Sequence, residues 1–439
     1  MSSHSCSRRQ FLLAAGASTG FLGPTAWADD TPRSRPPVRT SKPRKKLAVV
    51  TTAYHYLSHA YHVCGRFLYG YLRDGTMHYP DYAIAGMHVA QTAKNDLSRG
   101  LARQFGFPTF DDVAGALTLG GDKLAVDGVL LIGEHGDYKY NAKGQKLYPR
   151  AELFGKIVEV FRKSGKSVPV FCDKHLSYDR KKAKEMVDTA HKLGFPLMAG
   201  SSLPVTWRRP ELELPLGVKI EEALIASRGE LEIYGIHALE SLQCMVERRA
   251  TKQQGVRAVT CLTGDAVWKA GDAGKWSWEL LDHALGRSPS LNVGDIRQNC
   301  RDFVPRSPRL DLWQSPVAFL IEYRDGLRAT ILILNGHHDD TTFAARIAGD
   351  KKPVSALFYL PPPPGAAFLQ ALTVKIEDFL ATGKPPYSVE RTLLTGGILD
   401  WALESRLQGQ KRLETPDLDI RYEAPKDSGF LRGDWRSPA

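Results

Sequence analysis

The sequence predicts an α/β protein, with an N-terminal Rossmann-like parallel-sheet domain followed by an α+β domain whose sheet is largely antiparallel. Three observations predict it. From about residue 46 to residue 200, apolar runs of strand length alternate with amphipathic helical stretches. Beyond residue 200 the apolar runs lengthen and meet turn signals, "RDG" and "NG". At 439 residues, 43% hydrophobic and 24% charged, the chain is long enough for two large cores and does not read as disordered.

The first strand is "KLAVVTTAY", and Ser58 is placed to cap the helix "HAYHVCGRFLYGYL", where Val63, Phe67 and Leu68 recur at helical spacing. "YAIAGMHVA" is a second strand and "DLSRGLARQFG" a helix with a glycine stop. "VDGVLLIGE" is the third strand, and the charged loop "DYKYNAKGQKLYPR" leads into the helix "AELFGKIVEVFRKSG". "VPVFCDKH", "DRKKAKEMVDTAHKLG" and "FPLMAGS" complete a strand, helix, strand series. Such alternation implies right-handed crossovers and ligands at the strand C-terminal ends. In the second half, "VRAVTCLTG", "VAFLIEYRDG", "LRATILILNG" and "VSALFYL" read as strands, while "GIHALESLQCMVERR" and "FLQALTVKIEDFLATG" read as helices. "LPPPPG" is a rigid connection, and the polar last thirty residues are expected to wrap or fray.

The N-terminus carries Ser7-Arg8-Arg9-Gln10-Phe11-Leu12, a twin-arginine export signal, then a mildly apolar stretch and Ala26-Trp27-Ala28, a cleavage site. The expected organisation is a signal over 1–28, a basic Pro-rich linker over 29–45, the Rossmann-like domain over 46–200, the α+β domain over 201–406 and a polar tail over 407–439. Cleavage after Ala28 would leave a periplasmic or otherwise exported protein without stable membrane insertion, delivered folded by the twin-arginine machinery.

The net charge of +11 suggests a nucleic-acid partner until it is located. From Leu47 onward there are 50 basic and 46 acidic residues, a balance of only +4, so the excess belongs to the leader and linker and no nucleic-acid partner is expected. Cys64, Cys172, Cys244, Cys261 and Cys300, an odd number without CxxC spacing, read as buried small apolar residues.

Several strings resemble the Gfo/Idh/MocA family of nicotinamide-dependent sugar oxidoreductases, over about residues 46 to 406. "VPVFCDKHLSYDRKKAKEMVDTAHKLGFPLMAGSSLPVTWRRP" resembles the family strand ending in Glu-Lys-Pro, here Asp173-Lys174-His175, with the helix and strand after it. "YGIHALESLQCMV" resembles the helix carrying a family histidine, which falls on His237, with Glu240 three residues on. "FLQALTVKIEDFLATGKPPYSVERTLLTGGILDWALESR" resembles the closing helices. The resemblance implies hydride transfer between a tightly bound NAD or NADP, loaded before export, and a sugar or polyol, in a chain able to form homo-oligomers. Lys174 would meet the developing alkoxide and His237 would take the proton. It assigns Thr51, Thr52, Ser58, His59, Gln91, Glu134, His135 and Asp173 to the coenzyme, and Trp207, Arg208 and Glu240 to the substrate.

Three features depart from the family. "VVTTAYHYLSHAYH" has no glycine until Gly65, where a Gly-rich turn approaches the pyrophosphate. The second strand ends in Gln91, Thr92 and Lys94 without the ribose-binding acid. Ile233 stands where an aspartate commonly precedes the histidine, with Glu230 and Glu232 nearby at other spacings. Two alternatives follow. One is a carbohydrate-binding member that has lost its coenzyme. The other is a lyase or hydrolase acting on sugars, NAD-dependent or using a metal held by His55, His59 and His62, by the "GEHGD" stretch with Asp137, or by the run His337 to Asp340.

Overall fold

The computed structural model describes residues 44–73, 75–305 and 312–433, which fall in one compact unit. The expected export signal and the linker up to residue 43 lie outside the described residues.

The first half is a doubly wound layer: β1 (Lys45–Thr51), α1 (His59–Tyr69), the hairpin β2 (Tyr71–Arg73) and β3 (Thr76–His78), β4 (Tyr82–Val89), α2 (Ser98–Phe105), β5 (Thr109–Phe110), α3 (Val113–Thr118), β6 (Gly128–Ile132), α4 (Arg150–Ser164), β7 (Val170–Asp173), α5 (Arg180–Leu193) and β8 (Leu197–Gly200). Six strands form a wholly parallel sheet in the order β5-β4-β1-β6-β7-β8, so the winding direction reverses between β1 and β6. The strands read as continuous apolar runs because helices cover both faces; every residue of β6 is buried. Helix starts follow local chemistry: Ser58 accepts from Tyr61 N–H ahead of α1, and Asp179 accepts from Lys181 and Lys182 N–H ahead of α5.

The second half holds β9 (Trp207–Arg209), β10 (Ile220–Ser227), α6 (Leu231–Val246), β11 (Val256–Thr263), α7 (Asp265–Asp272), α8 (Trp278–Leu285), α9 (Ile296–Arg301), β12 (Val317–Tyr323), β13 (Arg328–Ile333), β14 (Thr341–Ile347), β15 (Val354–Tyr359), α10 (Ala367–Thr382), α11 (Val389–Leu407) and β16 (Leu413–Glu414). Its eight strands run β16-β11-β12-β13-β10-β14-β15-β9, antiparallel throughout except for the central pair β10 and β13. "RDG" closes the β12–β13 hairpin as expected, but the "NG" turn joins no hairpin, because β14 pairs with β10 instead. Both faces are buried: Ile225, Phe319, Ile331 and Phe343 face α6 and α11, while Leu224, Ala318, Leu332 and Ala344 face Trp268, Trp276 and Leu280 of the α7–α9 cover.

The chain then returns to the first sheet. Leu369, Leu372, Ile376 and Phe379 of α10 pack with Leu47, Val49 and Leu130, so a helix late in the sequence covers the parallel sheet beside α1. α11 enters both cores, through Val389 and Leu393 on one side and Leu394, Ile398 and Leu403 on the other. The described part of the tail wraps: Leu431 N–H donates to Val205 O at 3.0 Å and Tyr422 OH to Glu247 at 2.8 Å. The five described cysteines outside the leader are buried and unpaired, and no described helix is long and apolar enough to cross a membrane.

Candidate active site

The C-terminal ends of β6 and β7 bring together the densest group of buried charges around the sheet. Lys174, just past β7, is 2% exposed and donates through Nζ to Glu134 Oε1 at 2.9 Å. Arg150, the first residue of α4, donates to the other oxygen of Glu134. It fits because residue 133 is glycine: a Cβ there would come within 2.4 Å of Arg150 Cγ. Burial works against ionisation of Glu134, but Lys174, Arg150 and His59 hold its carboxyl well below the usual range. Asp173 completes the cluster by accepting from His59 Nδ1 at 2.7 Å; burial opposes the charged imidazole, yet Asp173 raises the His59 pKa.

Lys174 has φ +65° and His135 has φ +70°, left-handed values that cost a residue with a side chain about 1–3 kcal/mol. Two such residues at adjacent strand ends indicate a backbone held for the site it makes. His55 and His59 meet His135 edge-on at 5.1 and 5.4 Å between ring centroids, forming a half-exposed rim above the buried ions. Burial keeps His135 neutral, its pKa lowered to about 4, and its Nε2 has no hydrogen-bond partner in the protein.

On the facing side, Ser201 Oγ accepts from Leu203 N–H at 3.1 Å and lies 2.6 Å from His237 Nδ1. Ser201 and His237 thus share one hydrogen bond, whose direction follows the imidazole tautomer. Burial, then Lys174, pushes the His237 pKa well below its ordinary value. The surroundings thus oppose the protonation near neutral pH that was expected of His237.

Of the residues expected to hold a coenzyme, nearly all are engaged with the protein itself. Thr51 Oγ donates to the carbonyls of Ile132 (2.9 Å) and Ala53 (3.1 Å), and Thr52 Oγ to that of Glu134 (2.7 Å), which ties β1 to β6 across the reversal point. Ser58 Oγ accepts from both His55 and Tyr61 N–H. Gln91 uses both ends of its amide on the Asp137 backbone, at 2.8 and 3.1 Å. Tyr54 fills the place of a Gly-rich turn and is 1% exposed. Tested against this structure, the residues present do not fit a dinucleotide in the manner of the fold: the pyrophosphate seat is closed by side chains, and no acid ends β4.

The residues expected to bind substrate do not join the cluster. Trp207 and Arg208 lie on the sheet-edge strand β9, where Arg208 donates to the carbonyls of Leu212 (2.9 Å) and Pro204 (3.3 Å) and stacks on Phe430 at 4.3 Å. Glu240 accepts from Thr395 at 2.7 Å and faces α11 behind Gly200, where its Oε2 would lie 3.2 Å from a Cβ. Nor do the histidines form the expected triad: α1 begins at His59, leaving His55 outside the helix. Among the described residues no three His, Cys, Asp or Glu side chains are arranged to hold a metal. Asp340 instead accepts from Ser288 and Ser290 and pins their loop to the second sheet.

Arg150 was not evident as a site residue from motif positions, whereas His175 closes the Asp173-Lys174-His175 motif and Glu230 and Glu232 stand near the place of the family aspartate, with no role assigned to any of the three. A signal existed for Arg150, since a cation in the first turn of a helix opposes the dipole as Lys174 does before α5.

The six-strand parallel sheet followed by the mixed, mostly antiparallel eight-strand sheet is a fold shared with solved oxidoreductase structures. No protein-family model matches the sequence, and no curated protein matches it. Among solved structures, GenD2 from gentamicin A biosynthesis in complex with NAD is 14% identical with a TM-score of 0.50, covering 86% of this chain and 99% of its own. An oxidoreductase from Agrobacterium radiobacter in complex with NAD+, L-tartaric acid and magnesium is 13% identical at TM-score 0.52, over 84% and 98%. The myo-inositol dehydrogenase from Lactobacillus casei in complex with NAD(H) and myo-inositol is 11% identical at 0.50, over 85% and 97%. Identities this low carry the fold and not the activity.

Proposed function

We propose that this chain is an exported enzyme acting on a sugar or polyol-derived substrate in the crevice above Lys174, by proton transfer at a hydroxylated carbon. The observation that carries the reading is the buried Lys174–Glu134–Arg150 group, built on left-handed backbone at Lys174 and reached past the rim of His55, His59 and His135. Lys174 is the group to meet negative charge developing on a substrate oxygen, Glu134 fixes that ammonium, and the neutral His237 ring stands opposite as a hydrogen-bonding group. Export rests on the twin-arginine leader.

A second reading is favoured by the likeness of fold to NAD complexes and by a lysine at the end of β7: hydride transfer with an NAD or NADP retained through folded export. It requires the β1–α1 connection to open. One preparation decides. Denatured mature protein should release no nucleotide, while the native protein should melt at higher temperature with polyols or hydroxyketones, an increase abolished by Lys174→Ala. Near-stoichiometric NAD or NADP in the supernatant would replace the first reading by the second.

A further inference from the structure

At the crevice wall contributed by the second sheet, α6 opens with two buried glutamates, Glu230 and Glu232, each with one carboxylate oxygen left without a hydrogen bond. Glu230 stands at the N-cap position, yet its carboxylate caps no helix amide. It is 5% exposed and its Oε1 has no partner in the protein. Glu232 Oε1 is also unpartnered; His175 Nε2 lies 3.4 Å away without hydrogen-bond geometry, and neither ring nitrogen of His175 is bonded. Arg150 Nε and Nη1 are unpartnered beside them. Leaving a buried polar group unmade costs about 1–3 kcal/mol, so four residues with such atoms around one crevice mark a place built to meet a ligand rich in oxygen.

The groups facing Glu230 come from four segments. Glu232 on its own helix repels the anion; Lys174 beyond β7 and Lys146 in the loop before α4 attract it; and the Trp313 side chain hydrogen-bonds the carboxylate. Burial and Glu232 prevail, and the carboxyl is pushed up to about 7. Glu134, across Lys174, is held the opposite way. Two carboxylates in one crevice with their proton affinities driven apart divide the work into a fixed counter-ion and a proton carrier.

We infer that Glu230 is the acid–base residue of this site and that its substrate is a hydroxyketone, a sugar or cyclitol already bearing a carbonyl. The inference rests on the proton-transfer reading above and narrows it. With the dinucleotide seat closed, a carbinol hydrogen has no hydride acceptor, whereas hydrogen on a carbon next to a carbonyl can leave as a proton. Glu230 takes that proton; the C–H electron pair becomes the C=C bond of an enediolate and the carbonyl π pair moves to oxygen, where the Lys174 ammonium meets it. Returning the proton to the other face of the same carbon restores the carbonyl and the carboxylate and gives the epimer; returning it to the former carbonyl carbon gives the isomer, with the neighbouring hydroxyl proton passing to the former carbonyl oxygen. Nothing is oxidised or reduced overall.

The test is hydrogen exchange in D2O, followed by proton NMR, with mature protein and scyllo-inosose, D-fructose, L-sorbose and dihydroxyacetone, beside melting curves with the same compounds. Expected is loss of the α-hydrogen signal from at least one compound, with a rate that rises with pH through an inflection near 7. Glu230→Gln should slow exchange at least 100-fold while keeping the melting shift, and Glu230→Asp should recover part of the rate. A melting shift without exchange in the natural protein, or exchange unaltered in Glu230→Gln, would overturn the inference and leave the sugar-directed reading standing. No melting shift with any compound, nor with myo-inositol, would sink that reading as well.

Discussion

Lys174 shows how far a single residue can be read from its neighbours in sequence. A lysine after an apolar run and before a capped helix opposes the dipole, so its position at a strand end was legible. Its partners were not, because Glu134 and Arg150 reach it from another βα unit and their convergence depends on sheet order. Glu230 was harder still, since nothing local separates a site carboxylate from a surface one at a helix start. Its environment makes a prediction with a definite sign. The folded chain holds its proton up to about 7 whereas the unfolded chain releases it in the ordinary carboxylate range, so the stability linked to that proton is present at low pH and lost as pH rises through about 7. Glu230→Gln, neutral throughout, escapes the loss, and its melting temperature relative to the natural protein should rise from pH 5 to pH 8 in calorimetry. A difference independent of pH would show that Glu230 is not held protonated. Gly133→Ala tests the other side of the cluster: with Arg150 Cγ 2.4 Å from the new methyl, overpacking should cost about 1–3 kcal/mol in urea unfolding.

Among the elements, those of the parallel half were legible where they form a closed local pattern, as β7 and α5 do: an apolar strand followed by a helix with Asp179 as cap and Gly194 as stop. The hairpin β2–β3 escaped notice because three-residue strands show no alternation. β10 was hidden for a different reason: it opens with Glu221 and Glu222 and sits between β13 and β14, partners more than 100 residues away. The most consequential element is the β1–α1 connection. The sequence shows that its glycines are missing, but only the structure shows that Thr51, Thr52, Ser58 and His59 stand there with bonds that tie the connection to itself and to the ends of β6 and β7. Ser58 both caps α1 and holds His55 N–H, at 3.1 and 3.2 Å. Ser58→Ala should therefore cost about 1 kcal/mol or somewhat more by denaturant melts. It should also free the His55 backbone N–H, visible as faster amide hydrogen exchange of the His55 signal by NMR. An unchanged His55 signal would mean that the connection is held by other contacts.

At the scale of the whole molecule, two sheets expected to follow one another in chain order are fastened by the last helices, a return that no local pattern announces. α11 lies in both cores, and its Arg391 pairs with Glu247 at the end of α6, both side chains fully buried. Tyr422 of the wrapping tail donates to the same carboxylate at 2.8 Å, and Tyr387 stacks on the guanidinium at 4.1 Å. Burial alone would disfavour the Arg391 charge, but Glu247 raises its pKa. Such a pair is weak evidence of net stabilisation, since desolvation offsets much of the attraction, yet removing one partner strands the other. Glu247→Gln should accordingly destabilise the protein by about 3–5 kcal/mol in urea, while Arg391→Met combined with Glu247→Leu should recover most of that loss. Because α11 belongs to both cores, the loss should appear as one transition, with tryptophan fluorescence, which reports Trp268, Trp276 and Trp278 under the second sheet, coinciding with far-ultraviolet circular dichroism. Separate transitions would show that the two sheets fold independently and that α11 only rests between them.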